Sequence, residues 1–178
     1  MRKFLFGFLA GILVLPAAAL VAAWLGLLPT AAKAVPPHWE SAFAHMALDA
    51  AAARRAPHLA NPVAPTDENL LAGLKVYRSA CSGCHGDAAN KEDWGDSFYP
   101  NVPQFSKEPP TEPDWQLFWI VRNGVRYSGM SAWAGQWGKD AAGNDKSDPN
   151  IWRAVTFLSH LRNLPPAVEA QWRAKPAQ

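Results

Sequence analysis

The stretch Cys81-Ser82-Gly83-Cys84-His85 decides the reading of this chain. Its thiols are the only 2 cysteines among 178 residues, and an imidazole follows the second at once. That order reads as a c-type haem attachment site, in which both thiols form thioether bonds to the haem vinyl groups and the adjacent histidine reaches the iron from the proximal side. A structural zinc site needs about four nitrogen or sulfur ligands, usually with a second pair at matching spacing, and none is present. A dithiol redox motif belongs beside a strand-helix-strand pattern, whereas the residues before Cys81 read as helix and those after it as loop. A Cys81–Cys84 disulfide leaves His85 and the downstream methionine without a shared purpose. The motif therefore predicts one covalently bound haem c, attached through Cys81 and Cys84, with His85 on the iron.

The length gives room for one ordinary domain plus an anchor or linker, and 9 tryptophans supply that domain with large apolar side chains. The formal net charge is only +2, and acids and bases are interspersed from Asp67 to Arg162, which excludes nucleic acid as a partner. No paired carboxylates and no Ser-His-Asp arrangement can be placed on the sequence, so it does not read as an enzyme.

From Phe4 to Leu28 there is no charged side chain, and at ~1.5 Å per residue this run gives roughly 37 Å of helix, enough for a hydrocarbon core of ~30 Å. Arg2 and Lys3 precede it, which keeps the N-terminus in the cytoplasm and sends the rest outward. Ala32-Lys33-Ala34 satisfies a signal-cleavage pattern, but the run exceeds the roughly 7–15 residues of a signal core, so a retained anchor is preferred.

The chain divides into an anchor (1–30), a Pro/Ala-rich spacer (31–66), a domain (67–165) and a polar tail (166–178). Within the spacer, Trp39, Phe43, Met46 and Ala50 recur at helical spacing between Pro37 and Pro57 and predict a short amphipathic helix, with Met46 in its apolar stripe rather than on a metal. His45 lies on the same helix, and His38 and His58 sit beside prolines in connections without metal partners. The first domain helix starts at Thr66 as cap and presents Leu70, Leu71, Leu74 and Tyr77. A second runs over about 114–123 and stops at Gly124; a third starts with Asp148 as cap and ends before Pro165. His160 reads as a helix-terminal residue, and the polar stretch 139–150 lacks the order of a calcium loop and reads as a solvated surface turn. No strand pattern or repeat is convincing.

These residues resemble the class I c-type cytochromes, and among them the membrane-anchored bacterial monohaem proteins related to respiratory oxidase cytochrome subunits. The likeness covers about residues 67–165. Gly73 and Tyr77 match the family's glycine and aromatic on the first helix, and Phe157 its aromatic partner on the last. Tyr99-Pro100-Asn101-Val102 is similar to the loop whose carbonyl accepts the proton of the haem histidine, with Pro100 the candidate and Pro103 the alternative. Ser128-Gly129-Met130-Ser131 resembles the loop that presents the second axial ligand, so the resemblance implies that Met130 ligates the iron. The family commonly has proline after this methionine, and Ser131 implies a less rigid loop. The resemblance implies an all-α fold packed around one haem, preceded by the N-terminal transmembrane helix. It also places the domain in the periplasm, held to the bacterial inner membrane, since these cytochromes receive their haem after export.

With His85 and Met130 on both axial positions, the iron keeps no open site and exchanges single electrons between a redox protein donor and acceptor. The competing readings are a haem sensor or peroxidase-like enzyme, in which Met130 leaves the iron, and an assembly subunit of a membrane redox complex.

Overall fold

The computed structural model describes residues 2–88 and 93–175, and among them every regular element is helical. The chain divides into two compact units, residues 1–34 and 35–178.

The first unit holds α1 (Arg2–Trp24), which is 23 residues long and keeps Pro16 within it. Leu13, Leu15, Leu20 and Trp24 are exposed along it. The helix stops short of Leu28 because Gly26 takes φ 70°, and the amide of Leu27 returns to the carbonyl of Ala22 at 2.9 Å. Among the described residues no helix is long and apolar enough to cross a membrane.

The second unit is organised by α3 (Asp67–Ala80) and α6 (Ser147–Ser159). Thr66 caps α3, its hydroxyl accepting from the Asn69 amide at 3.3 Å, and Leu70, Leu74 and Tyr77 recur on the buried face. The two helices meet at Gly73. A methyl group there would lie 2.2 Å from the Arg153 carbonyl oxygen and 2.8 Å from Phe157 Cβ, so only a hydrogen fits. α6 then serves two apolar clusters. Phe157 and Leu158 join Leu70, Leu74 and Tyr77, while Ile151, Trp152 and Val155 join Leu117, Phe118 and Val121 of α5 (Asp114–Asn123). α5 ends at Gly124, with φ 68°, as its sequence predicts.

Two expectations are corrected. Residues 166–178 are not a polar tail throughout: α7 (Pro166–Arg173) buries Val168 and Trp172. The Trp172 ring meets Tyr77 edge-on at 5.6 Å and Phe157 at 5.4 Å, so a groove made by α3 and α6 supplies the apolar surface that the segment lacks by itself. The spacer packs on the domain. Its helix α2 (His38–Arg55) packs through Ala52, and Asn61 donates to Asp114 at 2.7 Å and to Thr156 at 2.9 Å. Finally, α6 begins at Ser147 rather than with Asp148 as cap. The free Ser147 amide goes to the Asp145 carboxylate at 2.8 Å, while Asp148 pairs with Arg122 at 2.9 Å.

That cap carries a pH prediction. The hydrogen bonds from Ser147 hold the Asp145 carboxyl below its ordinary 3.8. A depressed carboxylate contributes stability above its unfolded value and loses that contribution as pH falls through the lower folded one. The amide resonance of Ser147 should therefore titrate with a midpoint below 3.8 in NMR spectra. A midpoint at or above that value would contradict the cap.

Candidate functional site

α3 delivers the cysteine motif. The Cys81 amide closes its last turn on the Tyr77 carbonyl at 2.8 Å, and a single turn, α4 (Ser82–His85), follows directly. Gly86, at φ 74°, ends that turn. Two residues of α3 fix it in place. The buried Tyr77 hydroxyl donates to the Gly86 carbonyl at 2.5 Å, and Arg78 pairs with Asp87 at 2.8 Å. Arg78 also donates to the carbonyls of Gln171, Trp172 and Ala174 at 2.9–3.1 Å, tying the motif to the end of α7. Burial, assisted by Cys81 and Asp87, raises the Tyr77 pKa, so its hydroxyl keeps the proton it donates.

Cys81 and Cys84 are free thiols, not a disulfide. Burial, with the neighbouring Cys84 second, pushes the Cys81 thiol up to about 12, so it is protonated at neutral pH.

His85 is oriented from two sides. Its Nδ1 lies 3.0 Å from the Pro103 carbonyl, and because a carbonyl only accepts, Nδ1 donates and the Nε2 lone pair is left for a ligand. Its ring stacks on Phe105 at 4.2 Å with 6° between planes. Burial lowers the His85 pKa, against the Pro103 hydrogen bond, and so favours neutral imidazole. The carbonyl is thus Pro103's and not Pro100's. Pro100 follows a cis peptide and is exposed, while the Phe105 amide returning to the His85 carbonyl at 3.2 Å draws the later proline over the ring.

Met130 sits in a loop closed on the end of α5. The Val125 amide donates to the Met130 carbonyl at 3.0 Å, and the Met130 amide to the Ser128 hydroxyl at 3.2 Å. Beyond it, the amides of Trp133 and Ala134 reach the α5 carbonyls of Val121 and Arg122 at 3.2 and 3.1 Å. A methyl group at Gly124 would lie 2.6 Å from the Ala132 amide nitrogen, and one at Gly129 would enter the Phe98 ring. These contacts restrain the loop despite Ser131, whose lack of a proline ring implied looseness from sequence. Met130 is half-buried against the second apolar cluster, beside Trp133 and Trp137.

Cys81, Cys84 and His85 are therefore gathered on one turn, with Cys81 packed against the first cluster, and Met130 packs against the second. α6 belongs to both. Of the other histidines, His58 stacks on Trp115 at 4.0 Å, and His160 contacts the Thr156 carbonyl at 2.9 Å. His45 and Met46 lie exposed on α2. Among the described residues no group of three or more His, Cys, Asp or Glu side chains could hold a metal. The supports that sequence reasoning missed are Arg78, Phe105 and Phe98. Their partners lie nine or more positions away, so no local spacing announces them.

Two helices packed closely at a glycine, the first running into a Cys-x-x-Cys-His turn, with a methionine loop ahead of the second, define a class I c-type cytochrome. Residues 68–158, just over half the chain, match the family model described as cytochrome c oxidase, cbb3-type, subunit III, and the chain belongs to that family. No curated protein and no solved structure matches it. The family's cofactor is haem c with iron, and its role is haem-based electron transfer.

Proposed function

We propose that this chain is a monohaem cytochrome carrying single electrons between membrane or periplasmic redox partners of a respiratory chain. The donor set fits the group: two unpaired thiols for the vinyl carbons, a neutral imidazole with Nε2 free, and one thioether in a restrained loop. Haem supplies an iron that changes by one electron between ferrous and ferric states.

In this reading Cys81 and Cys84 would tether the haem through thioether bonds, and His85 and Met130 would ligate its iron. The observation that carries the reading is the Pro103–His85–Phe105 arrangement, which fixes the ring plane and supports its basicity as a ligand. The apolar clusters beside both ligands exclude water and keep the geometry nearly constant between oxidation states. The closure of the 124–134 loop favours a carrier over a sensor, because a sensor must release Met130.

The N-terminal run is read as a retained anchor in the bacterial inner membrane with the haem domain in the periplasm. Its support is the uncharged stretch Phe4–Leu28 behind Arg2 and Lys3.

One experiment tests both parts. After alkaline washing of membranes, the protein should stay in the pellet, and a denaturing gel of that pellet should stain for haem at its mass. Loss of all haem on denaturation would overturn the attachment, and a mature N-terminus at Val35 would overturn the anchor.

A further inference from the structure

The second unit holds α2 by its small-residue side. Ala52 and Ala56 are buried, Glu40 accepts from the Tyr99 hydroxyl at 2.7 Å, and Asp49 accepts from Gln116 at 3.4 Å. At ~100° per residue, Trp39, Ala42, Phe43, Met46, Ala50 and Ala53 fall on another side, in one arc roughly 100° wide. That arc is exposed throughout, with Trp39 at 72%, Phe43 at 63% and Met46 at 59%. A helix of a globular domain ordinarily turns its large apolar residues to the core. This one turns them away, and no charged or hydrogen-bonding side chain apart from the Trp39 indole interrupts the stripe.

We propose that the stripe rests on a phospholipid surface, making α2 an interfacial helix that holds the haem domain against the membrane. The proposal rests on the anchor reading given above. Residues 29–37 alone separate the end of the uncharged run from His38, the first residue of α2, and such a chain spans at most roughly 30 Å. A bilayer at Leu28 is therefore within reach of the helix. Charge agrees. The acids flanking the stripe, Glu40 and Asp49, are engaged by the domain, while Arg54 and Arg55 are exposed at its far end, where cations meet anionic headgroups favourably. Trp39, at the end nearest the tether, has the amphipathic ring that settles at headgroup level.

The test uses the full-length haem-loaded protein in phosphatidylethanolamine–phosphatidylglycerol vesicles that contain a lipid with a photoactivatable acyl chain. After illumination and digestion, mass spectrometry should find label in α1 and in the Trp39–Ala53 segment. Label there should be several-fold above that in the buried α6 segment Ile151–Leu158. Phe43→Glu with Met46→Glu should bring the α2 label down to the α6 level while α1 labelling and haem absorption persist. Label in α1 with α2 already at the α6 level would overturn the proposal and leave the anchor standing. If, in addition, the wild-type protein runs as a dimer on size-exclusion chromatography in mild detergent and the double variant does not, a second copy occupies the stripe instead. Failure of the protein to float with the vesicles would overturn the anchor, and the proposal with it.

Discussion

Gly73→Val is expected to destabilise the haem domain by about 3 kcal/mol or more, enough that little folded protein accumulates. Valine improves the intrinsic helix propensity only slightly over glycine, by a few tenths of a kcal/mol. Against that stands a Cβ that would lie 2.2 Å from the Arg153 carbonyl oxygen and 2.8 Å from Phe157 Cβ, before the valine methyl groups are added. Neither contact is with the flexible end of a side chain, so α3 and α6 must move apart. Separation loosens Tyr77 and Phe157, both fully buried, and with Tyr77 the hydrogen bond that holds Gly86 beside the cysteine motif. Denaturant unfolding followed by far-ultraviolet circular dichroism measures the change. A midpoint unchanged from that of the wild type would contradict the close approach of α3 and α6 at this position.

Met130→Ala should have the largest effect on the iron. Removing the thioether takes away the sixth ligand assigned to it, so the weak absorption band of ferric iron bound to methionine sulfur should vanish from the red end of the visible spectrum. The reduction potential should fall, by on the order of 0.1 V, because axial ligands set haem potentials over a range of about 0.8 V. Fold stability should drop less than with Gly73→Val, since Met130 is only half-buried at the edge of its cluster. Met46→Ala is the control. That residue is exposed on α2, and its loss should leave band and potential as they were. A red band that persists in Met130→Ala would place another ligand on the iron.

The helices that position the site were legible where local chemistry sets them. Thr66 caps α3 through an amide three residues on, and Gly124 ends α5 with a positive φ; both signals are complete within a few residues. Trp172 was not legible. With Val168 it is one of two buried residues in a polar segment, and only the Tyr77–Phe157 groove, folded from distant parts of the chain, makes it core. Pro103 in place of Pro100 is the same kind of case: two prolines three positions apart carry equal local signals, and the path of the chain over His85 chooses between them. The exposed stripe of α2 shows the converse limit. Its period predicts a helix, but periodicity does not say which side the domain will cover.

The most direct measurement is addition of carbon monoxide to the reduced wild-type protein, followed in the visible spectrum. With His85 and Met130 both on the iron, the spectrum should remain unchanged over minutes, and Met130→Ala should form the adduct readily. Rapid adduct formation by the wild type, with no further change in Met130→Ala, would mean an open iron and would contradict the electron-carrier reading.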